Sequence, residues 1–232
     1  MRTTKDNIAV LYEDNHIIVV SKRPGDIVQG DKTGDMPLVD IVKEYLREKY
    51  SKPGNVFCGL THRIDRPTSG AVIFAKTSKA LSRMAELFRT GGVEKTYHAI
   101  LPLKDIPDAG TLENYLVRDG RTNRSRAYDT PREGAKRAVL HYTVLSRGKN
   151  YMLAQVDLET GRHHQIRCQF SSIGLPLRGD LKYGSLRSNQ DGSISLHARR
   201  IRFEHPVSHI PVDVVAPYPE NEPLWETLTC QK

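Results

Sequence analysis

The chain has 232 residues, 38% hydrophobic and 27% charged, an ordinary globular balance whose length suits one large domain or two small ones. A chain this long buries a core without disulfide or metal staples. Its formal net charge of +8 points to a polyanionic partner, nucleic acid first and an anionic membrane surface second.

Three cysteines, Cys58, Cys168 and Cys230, make an odd set with no CxxC spacing. That argues against a disulfide framework and for a reducing cytosol. The opening MRTTKDNIAVLYED lacks the apolar core of a signal peptide. The longest apolar runs, such as 71–75, fall far short of a bilayer span, so a cytoplasmic protein without a membrane partner is expected.

In chain order, 8–12 and 16–21 read as two strands split by the turn-like Glu13-Asp14-Asn15. Residues 22–36 form a loop rich in Gly, Asp and Pro. Pro37 starts a helix with Leu38, Ile41, Val42, Tyr45 and Leu46 on one face. Strands at 56–60 and 71–76 flank the loop HRIDRPTSG. A helix over 78–90 has an apolar face of Leu81, Met84, Ala85, Leu87 and Phe88 and stops at Gly91-Gly92. Residues 93–102 are a strand. Residues 104–133 are polar and basic, with weak strand character near 112–117.

A hairpin is predicted over 136–146 and 151–158. TGRHHQIRCQFSSIG then enters a helix with Ile166, Phe170 and Ile173 on one face and Gly174 as its stop. After a Gly-rich loop at 174–193, a strand at 194–203 breaks its alternation at Arg199-Arg200, which predicts a bulge. Prolines punctuate the remainder, where Trp225 packs a last short helix. Strands outnumber helices, hairpin-length turns join several of them, and no β-α-β series repeats. The expectation is an α+β fold, a mostly antiparallel mixed sheet flanked by helices, as a single domain over 1–232.

Several chemistries drop out by their signatures. There is no G-x-x-x-x-G-K-[ST] loop, no G-x-G-x-x-G after a strand and no G-x-S-x-G elbow. His163 and His164 are adjacent and would face different sides of a helix, so no metal site is expected. What remains is Asp65, set between Arg63 and Arg66 at a turn between two apolar strands. An Asp beside an Arg is usually a surface ion pair. Here the loop hangs on a rigid frame, and the arginines would keep the acid ionised and attract phosphate. Far along the chain, Arg167 adjoins core-facing Ile166, and a buried arginine demands a carboxylate.

These residues resemble the RluA-type RNA pseudouridine synthases. The family signature H-R-L-D-x-x-T-S-G stands here as His62 to Gly70, with Ile64 for Leu, a conservative exchange in volume. K-x-Y-x-A stands as Lys95 to Ala99. T-G-R-x-H-Q-I-R stands as Thr160 to Arg167, followed by G-x-P-x-x-G-D-x-x-Y-G over 174–184. L-H-A and F-x-H-P stand at 196–198 and 203–206. The opening VVSKRPGDIVQGD is similar to the family's K-P-x-G segment, with Arg23 inserted before Pro24. The match runs over about 8–217, and four ordered motifs are far more specific than HRID alone.

The resemblance implies a pseudouridine synthase catalytic domain that isomerises uridines in tRNA or rRNA. Asp65 is then the ionised carboxylate acting at the ribose, and Tyr97 supports the flipped base near C5. Arg167 is the arginine that pairs with the aspartate, although Arg162 is the alternative. Leu196 packs on the base opposite the tyrosine. His62 and Arg63 belong to the substrate-binding loop; Arg63 either fills the space left by the flipped nucleotide or clamps a phosphate. Arg162 is a candidate phosphate or loop contact. The reaction needs no cofactor. The implied partner is a structured RNA stem-loop, with no DNA, met by a monomer. About seven residues precede the first strand, so no N-terminal RNA-binding extension is expected.

The basic stretch 117–137 is a candidate for phosphate contacts or simply a solvated charged loop. Two other readings stay open. One is an RNA-binding protein that has lost catalysis. The other is a glycosidic hydrolase pairing Asp65 with a second acid such as Asp180.

Overall fold

The computed structural model describes residues 2–220 and 222–230. The chain divides into two compact units, Met1–Lys95 with Ala198–Tyr218, and Thr96–His197 with Pro219–Lys232. In chain order the elements begin with β1 (Ala9–Glu13), β2 (Ile17–Lys22), α1 (Leu38–Lys49), β3 (Gly59–Leu60), β4 (Ser69–Ala75), α2 (Ser78–Thr90) and β5 (Val93–Pro102). They continue with β6 (Ala109–Asp119), β7 (Arg124–Tyr128), β8 (Lys136–Arg147), β9 (Tyr151–Leu158), α3 (Gln165–Ser172), β10 (Leu196–Glu204), β11 (Pro211–Val215) and α4 (Pro223–Thr229). The class is α+β, and the hairpins pair antiparallel as the short turns between them require.

In the first unit the strand order is β1-β2-β4-β10, with β3 on β4 and β11 on β10. β2 and β4 are buried on both faces, which is why each reads as an unbroken apolar run. Ile17, Val19, Ile73, Met84, Ile201 and Val212 belong to one core cluster. α2 has the predicted bounds, capped by the Thr77 hydroxyl and ended by Gly91 at φ 78. Its predicted face meets the core through Met84, Leu81, Leu87 and Phe88, with Ala80 added and Ala85 exposed. The strand expected at 56–60 shrinks to Gly59–Leu60; Phe57 and the residues before it from Ser51 to Asn55 lie exposed.

In the second unit the order is β5-β9-β8-β6-β7. β6 and β7 form a hairpin within the stretch read as mostly irregular. The alternation in Arg124-Ser125-Arg126 is real, but the buried member is a serine, so a hydrophobic pattern misses it. α3 buries Ile166 and Phe170, while Ile173 falls just beyond it and is 36% exposed. Trp225 is buried on α4, as expected.

β11 was not anticipated either. It pairs in regular register with β10 from Arg200 to Glu204, so the break at Arg199 is no bulge in that pairing. It marks a change from three successive buried residues, Leu196 to Ala198, to alternate burial. The three cysteines are free thiols. Among the described residues no helix is long and apolar enough to cross a membrane.

Candidate active site

The first unit presents Asp65 on a loop that its own neighbours hold shut. β3 pairs with the end of β4, Gly59 opposite Ala75, and the chain then doubles back along that strand. The Thr61 hydroxyl donates to the Ile73 carbonyl at 2.7 Å, and the Ile73 N–H donates to His62 Nε2 at 3.0 Å. The His62 ring lies against Phe88 at 4.7 Å. Burial, helped by the charge of Lys95, pushes the imidazole down to about 3, so it is neutral and suited to accept. Arg63 is exposed.

Asp65 is half-buried and opens a tight turn, closed by the Thr68 N–H donating to the Asp65 carbonyl at 3.0 Å. Arg66 turns outward to Asp35 at 2.6 Å. Gly70 ends the loop at φ +116. A Cβ there would lie 2.3 Å from the Ala198 carbonyl oxygen, so only glycine fits the TSG corner.

A residue with no role assigned from sequence secures this turn. Lys22 is 1% exposed, and its ammonium donates to the carbonyls of Arg23, Arg66 and Thr68 at 2.8–2.9 Å. Two of these acceptors flank Pro67 in the Asp65 turn. The VVSK segment carried the signal, but a lysine after an apolar strand reads as a surface charge unless its burial is known. Burial pushes Lys22 down to about 7, against the pull of Asp26 and Asp65.

Below about 7 the ammonium is charged in both folded and unfolded chains. Between about 7 and its ordinary 10.5, the unfolded chain holds a proton that the folded chain has released, so this group makes stability rise with pH. Comparing wild type with Lys22→Met isolates it. The stability gap measured in urea should shift in favour of wild type by about 2 kcal/mol between pH 7 and 9. A gap that stays constant with pH would refute the assignment.

In the second unit, Tyr97 lies on β5 opposite Val156 of β9. It is half-buried and packs on the apolar cluster that contains Leu196, so these two predicted base-contacting residues share one cluster. α3 is entered through an unusual corner. His164 sits at φ 53, in the left-handed region, and is buried. Gln165 turns back at this corner: its Oε1 accepts from the Thr160 hydroxyl and the Arg162 N–H, at 2.8 and 2.9 Å. Because His163 and His164 precede the helix, they do not diverge as expected. Their rings stack with centroids 3.8 Å apart.

The two candidate arginines fall in different surroundings. Arg162 is exposed and donates through Nε to the Arg137 carbonyl. Arg167 is 5% exposed and grips Asp180 with two bonds, Nε to Oδ2 at 2.7 Å and Nη2 to Oδ1 at 2.9 Å. The carboxylate demanded by a buried arginine is thus met within this unit by the RGD turn. Asp180 is 1% exposed, and both of its carboxylate oxygens are taken up by this pair. The basic hairpin β6–β7 exposes Arg118, Arg121, Arg124 and Arg126, and the Asp119 carboxylate shapes its turn by accepting from Arg121 and Thr122.

A family profile described as RNA pseudouridylate synthase matches residues 16–172. An uncharacterized RNA pseudouridine synthase, YlyB, from Bacillus subtilis (strain 168) is 34% identical over 93% of this chain and 70% of its own length. The ribosomal large subunit pseudouridine synthase D of Zymomonas mobilis is 33% identical over 94% of this chain and 71% of its own. Among solved structures, human RNA pseudouridylate synthase domain containing 1 superposes with a TM-score of 0.75 at 25% identity, covering 98% of this chain and 89% of that one.

Proposed function

This chain belongs to the RNA pseudouridylate synthase family, and from that membership we propose that Asp65 is its catalytic carboxylate, acting on uridines of structured RNA. The enzyme is an RNA pseudouridine isomerase: it breaks the uridine N1–C1′ bond, turns the base and rejoins it through C5. No group is gained or lost, so the balance needs no redox partner and no donor.

The observation that carries the reading is the closed Asp65 turn. Its backbone is fixed by the turn bond and by Lys22, so the residue that bears the carboxylate is held in place before RNA arrives. An ionised, half-buried carboxylate suits either attack at C1′ or removal of a C2′ proton. Tyr97 supports the face of the flipped base, and its hydroxyl serves C5 deprotonation; Leu196 packs on the opposite face. Arg167 completes the catalytic set. His62 fixes the loop that carries Arg63 toward the RNA. Arg63 fills the vacated stack or holds a phosphate, and Arg162 stands as a phosphate contact.

The substrate class is a stem-loop of rRNA or tRNA, as the name of the Zymomonas relative suggests for rRNA. The chain works as one catalytic domain, 1–232, because the matched profile runs from the first unit into the second. It acts as a cytoplasmic monomer, on RNA and not DNA, and without a cofactor.

The test is tritium release from C5-labelled uridine in bulk tRNA and rRNA. Release into water with the base retained in RNA is expected. Liberated uracil, or no release with RNA binding intact on RNA from a strain lacking the gene, overturns the proposal.

The hairpin β6–β7 supplies the phosphate contacts. Changing Arg121, Arg124 and Arg126 together to Ser should weaken RNA binding by about tenfold or more at physiological salt, and should flatten the log–log salt slope by about 2. An unchanged slope would remove this hairpin from the interface.

A further inference from the structure

Tyr183 is the tyrosine of the G-D-x-x-Y-G motif, and the function proposed above gives it no task. It is 4% exposed, yet it touches two functional regions of its unit. Its hydroxyl accepts the N–H of Ser125 at 2.7 Å, near the start of strand β7 between Arg124 and Arg126. The same hydroxyl lies 2.9 Å from Nδ1 of His164, the left-handed residue that opens the helix bearing Arg167. The guanidinium carbons of Arg124 and Arg167 lie 5.4 and 5.1 Å from the centroid of its ring. Its own N–H donates to the carbonyl of Asp180, the residue that holds Arg167. Ser125 adds a second tie to the helix entry, its hydroxyl donating to the His163 carbonyl at 2.7 Å.

We propose that Tyr183 is a positioning residue that couples the seating of strand β7 on RNA to the orientation of Arg167. The inference rests on Arg167 belonging to the catalytic set. β7 is an edge strand, paired only with β6 in the sheet order of its unit, so a load on its exposed arginines meets little resistance from a second strand. The buried side of β7 bears on the Tyr183 hydroxyl; the ring that carries this hydroxyl stands 5.1 Å from the Arg167 guanidinium, and the hydroxyl itself reaches His164 at the entry of the helix that bears Arg167. His164 is held in a backbone region that a non-glycine residue occupies only when its surroundings enforce it. A shift at the hydroxyl therefore acts on a corner already under strain. RNA phosphates drawn onto Arg124 and Arg126 would seat the strand, and the seated strand would fix the guanidinium.

A phosphate clamp alone acts on KM, whereas a coupled clamp also acts on kcat. Arg124→Ser, a surface change, is expected to raise KM and also lower kcat at saturating RNA by about fivefold. Tyr183→Phe keeps the ring and removes only the hydroxyl; it is expected to lower kcat by about tenfold with KM within about twofold. In the Tyr183→Phe background, adding Arg124→Ser should change kcat by less than about twofold, because the hydroxyl that joins β7 to the helix entry is already gone.

An effect of Arg124→Ser on KM alone overturns the proposal, and this arm stands even where Tyr183→Phe fails to fold. Equal kcat losses from Arg124→Ser in both backgrounds overturn it too. Arg167→Lys serves as the control: full turnover in that variant removes Arg167 from the catalytic set and sinks the coupling with it, while the role of Asp65 stands. Loss of turnover there, with an unaffected Tyr183→Phe, sinks the coupling alone.

Discussion

Asp65→Asn is expected to lose at least about 10³-fold in turnover while binding RNA within about threefold of wild type. The substitution is nearly isosteric. The turn that carries the residue is closed by its backbone carbonyl, and the Lys22 grip falls on the carbonyls of Arg66 and Thr68. Neither depends on the side-chain charge, so the loop keeps its shape. What disappears is an ionised oxygen able to attack C1′ or take a C2′ proton; a neutral amide does neither. The substitution also removes one of the two carboxylates that favour the Lys22 ammonium, so Lys22 should titrate lower in the variant. Tritium release and filter binding on the same RNA measure the two halves of the expectation. Turnover within tenfold of wild type would remove Asp65 from the chemistry.

Much of this was legible in the sequence because apolar period and turn chemistry agree with the tertiary structure. α2 and β5 have the predicted bounds, and Gly91 ends α2 in the conformation that only glycine adopts without strain. The illegible parts have physical reasons. β7 buries a serine and so carries no hydrophobic signal, while β11 begins at a proline that reads as a break, although Val212 and Val214 behind it alternate into the core. The outward face of Ala85 cannot be told from the inward face of Ala80 when both are alanine.

In the site, the difference between Arg162 and Arg167 was readable, since the neighbour of a core isoleucine at a helix start has to be partly covered. The identity of the partner in this unit was not. Asp180 lies thirteen residues away across a glycine-rich loop, and only the turn at Gly179, φ +85, brings it back. Lys22 was hidden for the opposite reason: nothing local marks a lysine that is satisfied by three backbone carbonyls, two of them from a distant loop.

Asp180→Ala should cost about 3–5 kcal/mol of stability, because it removes the bidentate partner of a guanidinium that is 5% exposed. For a chain of this size that corresponds to a fall in Tm of roughly 10 °C. Asp180→Asn keeps the shape and one acceptor and should cost less. The decisive comparison adds Arg167→Met to Asp180→Ala. Removing both charges abolishes the desolvation problem, and the double variant should recover most of the lost stability. It should not recover turnover, because Arg167 is then gone from the reaction. Stability and catalysis would thus separate in one chain: the single Asp180→Ala variant loses both, and the double variant loses only catalysis. If Asp180→Ala melts with wild type, the bidentate pair is not what holds Arg167. If the double variant turns over normally, Arg167 has only a structural part, and the chemistry at Asp65 proceeds without it.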